Sequence, residues 1–356
     1  MTASPNSTLR TPDSTALSIQ YGTQILTEST ECPVQLSHFP LSSSGSSLAR
    51  LATPTLLAGV PRPLPGWPTP RGVAGGAMAL PLELRSAALV VDTAGHQQWR
   101  ESNETRVLDP SRTALLLCDV WNDHTSRGAV ERLEAMIPTM AAVVEALRAD
   151  GVTIVHCPSD CMDFYAESRA RKRVLALPQV APPADLEHED PPLPIDTEGP
   201  FSDTNEPLWR GTDHAVKRNW YGGRSYPWCR QHPGIRIDEE KDGISDNGPE
   251  VYSFLQANNV KTVLVMGVHT NMCILHRSFG IKQLTRWGVE CVLLRDLTDA
   301  MYSPARPPYV SHDEGTQLVV RFIEKFWCKS ALGSQILSVK RNETDRWTRL
   351  QQESRL

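Results

Sequence analysis

The chain has 356 residues, 36 of them basic and 41 acidic, for a formal net charge of −5. Charges of both signs are interspersed, so there is no broad basic face for a polynucleotide or an anionic membrane. No run approaches the ~20 apolar residues of a membrane span, and no basic start with an apolar stretch behind it marks a secretory leader, so a cytoplasmic protein without nucleic-acid or membrane partners is expected.

Residues 1–77 hold ten prolines and many Ser and Thr, with no period of 3.6 or 2. Such a segment cannot bury enough apolar surface to offset its ordering entropy, and it is expected to be a disordered tail with Met78 as an alternative start. From 78 to 330, strand-length apolar runs alternate with helix-length amphipathic stretches. That is the pattern of an α/β domain with a doubly wound, mostly parallel sheet and helices on both faces. Residues 88–92 and 104–108 read as a short antiparallel pair. The near-continuous apolar run TALLLCDV (113–120) reads as a strand covered on both faces. Apolar positions at helical spacing predict a helix over 129–149, with Gly151 closing it. A strand follows at 152–156.

Residues 179–234 interrupt the alternation with Pro, Gly and aromatic residues, and an insertion of this length reads as a functional loop or lid. The alternation resumes at 235–237, with a helix over 249–257 that has Pro at its start and a strand ending at Val268. A helix over 271–287, a strand over 290–295 and a last helix opened by the capping box Ser311-His312-Asp313-Glu314 complete the domain. Residues 331–356 read as a polar tail.

The motifs G-x-G-x-x-G, G-x-x-x-x-G-K-[ST], G-x-S-x-G and H-E-x-x-H are all absent. Their absence argues against dinucleotide, phosphate-loop, serine-hydrolase and zincin chemistry, and no cofactor is expected. The eight cysteines are irregularly spaced without CxxC pairs, and all but Cys273 read as small buried apolar residues. His156 and Asp160 are four apart, but they do not form a convincing ligand set, and no metal is expected.

Two strand ends carry chemistry. Asp119 closes the strand in LLLCDVWNDH, where a carboxylate beside apolar residues is costly unless paired or employed. Desolvation would raise its pKa and make it a competent proton acceptor. Cys273 follows the strand KTVLVMGV at the first turn of a helix, where the positive dipole end favours thiolate over a thiol whose free pKa is about 8.5. If the two strands are neighbours, Asp119 and Cys273 meet in one crevice. Trp121, His124, Phe164, Tyr165 and His276 are candidate pocket residues.

The segments LLLCDVWNDH, GVHTNMC and VECVLLRDLTDA together resemble the isochorismatase-like cysteine hydrolases, relatives of nicotinamidase and N-carbamoylsarcosine amidase, over residues 108–328. The resemblance implies an Asp-Lys-Cys site. Asp119 and Cys273 fall on the motif positions, and Lys241 lies nearest the place of the lysine, with Lys217, Arg218 and Arg230 as fallback cations. It also implies a cis peptide between Val268 and His269 whose backbone N–H groups, with that of Cys273, face a developing oxyanion. The expected function is hydrolysis of a C–N bond in a small amide or carbamoyl compound through a thioester on Cys273, by a homo-oligomer. A catalytically inactive scaffold of the same fold, used for binding or assembly, is the alternative. A thiol redox protein is a third, although no second cysteine adjoins Cys273.

Overall fold

The computed structural model describes residues 79–196, 203–204 and 226–340. The expected N-terminal tail, much of the 179–234 insertion and residues 341–356 lie outside them. The chain enters through a hairpin of β1 (Leu80–Val91) and β2 (Gln97–Leu108), paired in register along all twelve residues of each strand. The hairpin is much longer than the pair expected from the sequence. Nearly every β2 side chain is exposed, so its polar sequence carries no alternation to betray a strand.

The remaining strands are β3 (Thr113–Cys118), β4 (Thr153–Cys157), β5 (Gly243–Ile244), β6 (Thr262–Val268), β7 (Glu290–Asp299) and β8 (Lys329–Ala331). The eight-stranded sheet runs β2-β1-β8-β7-β6-β3-β4-β5. Its six strands from β8 to β5 pair in parallel, and only the hairpin joins antiparallel, through Arg85 opposite Ser330. From β3 the chain first winds outward through β4 to β5, then returns to β6 on the other side of β3 and winds outward again. This reversal makes the crevice beyond the carboxyl ends of β3 and β6 the topological switch point, the place where open α/β sheets bind ligands.

Helices cover both faces, which is why β3 and β6 are buried throughout. On one face α1 (Arg127–Ala149) lays Leu133, Ile137, Met140 and Val144 against Leu115, Leu117 and Leu264. Ser126 caps it by accepting from Ala129 N–H. On the other face, α3 (Gly248–Ala257) and α6 (His312–Phe326) pack against Leu116, Val155 and Val265. Asn247 caps α3 and Ser311 caps α6, the latter accepting from Glu314 N–H at 3.2 Å as the capping box predicts. A short α2 (Arg169–Leu175), not anticipated from the sequence, packs beside β5.

Two expected elements differ. Residues 331–340 are not a loose tail: Ala331 ends β8, residues 333–340 are helical and Ile336 is fully buried. The helix expected over 271–287 is broken into α4 (Cys273–His276) and α5 (Ile281–Arg286), because Arg277 is extended with ψ of 155°. No helix among the described residues is long and apolar enough to cross a membrane.

Candidate active site

Asp119 follows the last residue of β3 and takes a left-handed backbone with φ of 50°, a conformation that short polar residues tolerate best. Its N–H donates to Cys157 O at 3.0 Å and its own carbonyl accepts from Trp121 N–H at 2.9 Å, so the turn is fastened on both sides. Across from it, Gly267 lies opposite Cys118 with φ of 125°, and a Cβ there would sit 2.0 Å from Cys118 O. Only glycine allows β6 to come this close to β3, and the approach brings the two strand ends together.

The Asp119 side chain is fully buried. Its Oδ1 accepts Ser159 N–H at 2.7 Å and its Oδ2 accepts Arg277 Nε–H at 2.8 Å, and the Cys273 thiol lies close enough to act on its charge. Burial lifts the Asp119 carboxyl above the usual range, while Arg277, Cys273 and Ser159 hold part of that rise back. Burial and the Asp119 charge push the Cys273 thiol up strongly, against the opposing pull of Arg277 and the His269 N–H. Burial therefore disfavours the charged form of both groups. The helix start gives the thiolate little help, because α4 is a single turn with little dipole to offer and the neighbouring Asp119 charge opposes ionisation.

Among the described residues, the cation that meets Asp119 is Arg277. Burial works against its charge, but Asp119 and Cys273 outweigh that and hold it protonated. Lys241, the lysine suggested by sequence, is exposed in the turn before β5 with its N–H bonded to Asp238 O at 3.0 Å, and it takes no part in this cluster. Arg230 lies over Phe164, 5.7 Å from the ring centre, and Lys217 and Arg218 fall outside the described residues. Arg277 follows Cys273 by four residues, the spacing that places two side chains on one side of a helical turn. That spacing was the available signal.

The loop from β6 to α4 is tied down at several points. The Val268–His269 peptide is cis, Thr270 N–H donates to Asp299 O at 2.9 Å, and the Asn271 side chain both donates to and accepts from the backbone of Met301, at 3.0 and 2.8 Å. Met272 and Ile274 N–H both reach His269 O, at 3.0 and 3.2 Å. The Cys273 N–H between them has no acceptor among the described residues. Val268 ends β6 in register with Asp299. The His269 N–H faces the Cys273 sulfur, while its imidazole is buried edge-on to His124 at 4.9 Å. Burial, with His124 and Arg132 nearby, holds the His269 ring neutral.

Trp121 and Tyr165 lie in a small apolar cluster with Trp228, against which Cys273 packs. Trp121 donates Nε1–H to Ser159 O at 3.0 Å, and Tyr165 accepts Gln231 N–H on its hydroxyl at 2.9 Å. His124 stacks on Trp228 with ring centres 5.4 Å apart, whereas Phe164 lies at the rim, partly exposed and edge-on to Tyr165. His276 is exposed and turned back on Met272 O.

The described ends of the long insertion divide between two places. Residues 226–231 run over the site, where Trp228 stacks on Trp121 at 4.2 Å and Gln231 bridges to Trp121. Residues 185–190 lie instead against α5, where Asp190 pairs with Lys282 at 2.5 Å. His156 and Asp160 point to different partners: His156 is bonded to Gln231 and Asp242, and Asp160 lies beside Arg277. Among the described residues no group of three His, Cys, Asp or Glu is placed to hold a metal.

The sequence matches no family model and no curated protein. Among solved structures, the chain is similar to a cysteine hydrolase from Pseudomonas syringae pv. phaseolicola 1448A, at 15% identity and a TM-score of 0.39 over 65% of this chain and 95% of that one. It is also similar to an isochorismatase from Pseudomonas putida KT2440, at 13% identity and a TM-score of 0.36 over 63% and 90% of the two chains. A third similarity is to an isochorismatase family protein from Desulfovibrio vulgaris, at 12% identity and a TM-score of 0.36 over 65% and 98%.

Proposed function

We propose that this protein is a cysteine hydrolase that cleaves a C–N bond in a small amide or carbamoyl compound. The observation that carries this reading is the meeting of Cys273, Asp119 and Arg277 at the sheet's switch point, with Arg277 bonded to Asp119 and the Cys273 sulfur close enough to respond to both charges. Asp119 takes the thiol proton as the sulfur attacks the carbonyl carbon, and its lifted pKa makes it a better acceptor than an ordinary carboxylate. The Cys273 N–H, which has no acceptor among the described residues, serves the oxygen on which charge collects. The C–N bond then breaks and Asp119 returns its proton to the departing nitrogen. Water, deprotonated by Asp119, cleaves the thioester, and the acid leaves with Cys273 again a thiol.

Arg277 stabilises the charge that passes between carboxylate and sulfur, in the place where the sequence suggested Lys241. The placing of a fully buried carboxylate beside the thiol counts against the inactive-scaffold alternative, which has no use for it. A cytoplasmic homo-oligomer acting on a small molecule, without metal or cofactor, completes the reading. The test is ammonia release from a panel of small amides and ureas. The wild type is expected to turn over at least one of them and Cys273→Ser to fall to background, and full turnover by purified Cys273→Ala would overturn the proposal.

A further inference from the structure

The hairpin that opens the sheet ends in a strand edge that the proposed reaction does not use. β2 is the outermost strand on that side, twelve residues long, and it pairs with β1 without a break in register. A row of unpaired N–H and C=O groups is a template for another strand, and proteins blunt such edges with proline, with a bulge or by keeping them short. β2 has no proline and no bulge, and no strand pairs with its outer side among the described residues. β1 meets β8 at Arg85 opposite Ser330, so residues 86–91 and 97–102 continue past that point as a two-stranded ribbon. Such a ribbon is marginal in water until it is covered further. α6 reaches it at Trp99, edge-on to Phe326, while Leu89 and Val91 stay exposed.

Pleat and charge together decide which strand fits this edge. Asp92 N–H donates to His96 O at the hairpin tip, so by antiparallel alternation the residues of odd number from Gln97 to Val107 turn their N–H and C=O groups outward. A second β2 set against them is related by a two-fold axis perpendicular to the sheet. Each face then stays on its own side, so the axis passes through a residue and not between two. The registers that keep most of the strand paired place the axis on Glu101, Ser102, Asn103 or Glu104. On Glu101 or Glu104 that carboxylate faces its own copy, and on Asn103 Arg100 faces Arg106. On Ser102, Arg100 faces Glu104 of the second copy on both sides of the axis, and no like charges are opposed. Glu104 pairs with Lys329 of its own chain but is 51% exposed, so its carboxylate is open to a second cation. The same register sets Trp99 diagonally from Val107 of the second copy, and both are exposed apolar side chains within reach of each other there.

We propose that β2 joins β2 of a second copy of this chain, antiparallel about Ser102, and merges the two sheets into one. This gives the homo-oligomer of the proposed function a surface and a register, and it holds whether or not the chain cleaves an amide. β1, β8, β7 and β6 separate β2 from β3 within each copy, so each active site is complete without the other.

Sedimentation of the full chain at rising concentration is expected to show a monomer passing to a dimer. Arg100→Glu and Glu104→Arg should each weaken the dimer at least about tenfold by opposing like charges. An equimolar mixture of the two variants should restore it, because every opposed pair is then of opposite sign. Residues facing each other at a non-hydrogen-bonded position lie about 4.5 Å apart, within disulfide reach. Mild oxidation of Ser102→Cys should therefore link two chains, and wild type and Asn103→Cys should stay unlinked. A monomer at every concentration, or a dimer that both charge variants leave intact, overturns the surface, and a link in Asn103→Cys without one in Ser102→Cys overturns the register. A new disulfide within a single chain of Ser102→Cys would assign the edge to the chain's own residues before β1 and overturns the proposal as well. Ammonia release reads the hydrolase proposal separately: an active monomer discards the dimer alone, and a linked dimer without turnover discards the hydrolase alone.

Discussion

Two aspartates in this sheet are equally buried, Asp119 fully and Asp242 at 1% exposure, and each is paired with an arginine, yet their environments push them in opposite directions. Asp242, just ahead of β5, accepts from Arg148 Nε at 3.1 Å and Nη2 at 2.5 Å, bonds to His156 Nε2 at 3.0 Å and accepts Asp238 N–H at 2.8 Å. Burial alone would raise its carboxyl, but the His156 and Arg148 bonds prevail and hold it at about 2. Asp119 has a single Arg277 contact, one backbone N–H and a thiol that lends it no full charge, so burial prevails and the carboxyl is raised. The number of donors, more than the presence of an arginine, separates a permanently ionised anchor from a carboxylate able to exchange a proton.

The contrast is sharpest under charge removal. Asp119→Asn is expected to lower kcat/KM about 10³-fold, the scale of a lost general base, while the melting temperature falls by no more than about 3 °C. Asp242→Asn should do the opposite. Removing one partner of a buried pair costs about 3–5 kcal/mol, toward the lower end here because Arg148 keeps its half-exposed partner Glu145 at 2.7 Å, and the activity of the molecules that remain folded should be within about twofold of wild type. Thermal denaturation and steady-state kinetics on the two variants decide the matter; equal losses of activity would erase the distinction.

Arg277 offers a smaller effect on the same axis. Its charge lowers the Asp119 pKa against burial, so Arg277→Gln should raise that pKa further. The acid limb of the kcat/KM profile should then move to higher pH, with kcat/KM down about 10²-fold on its plateau. Arg277→Lys keeps the charge without the planar fork and is expected to fall between the two. A pH profile that stays in place in Arg277→Gln would detach the arginine from the base.

The two regions also differ in how far they could be read from sequence. β3 and β6 were plain because both faces are covered and their side chains form unbroken apolar runs, and the residue types at their ends, with the family resemblance, singled out Asp119 and Cys273, which the structure brings together. Arg277 was obscured by a helical pattern that continues through 271–287 in sequence, while the backbone breaks at Arg277 and turns its side chain back to Asp119. Trp228 lay in a Pro-rich, Gly-rich insertion without periodicity, where only packing against Trp121 gives it meaning. β2 escaped because an exposed edge strand needs no apolar face.

Acid stability should follow Asp242. Its folded pKa lies below the unfolded value, so the stability it contributes is complete above about pH 4 and is lost as pH falls toward its folded value of about 2. Asp119 has the reverse sign. Its folded pKa is raised, so the folded state gains protons in the window above about pH 4, and this carboxyl opposes acid unfolding there. Denaturant titrations from pH 2 to 6 should therefore show a loss of stability below pH 4 that flattens in Asp242→Asn, and persistence of the full slope in that variant would remove Asp242 as its source.

The smallest expected effect is that of Lys241→Ala, and it is diagnostic because the sequence pointed there. Lys241 shares its turn with Asp238 and Asp242, but its side chain is exposed while the inward position belongs to Asp242. A surface lysine among carboxylates contributes at most about 1 kcal/mol. Kinetics and melting temperature should thus stay within about twofold and about 3 °C of wild type. A loss of activity comparable to that of Arg277→Gln would mean that the turn before β5 moves inward during turnover and that Lys241, not Arg277, carries the charge in the reacting state.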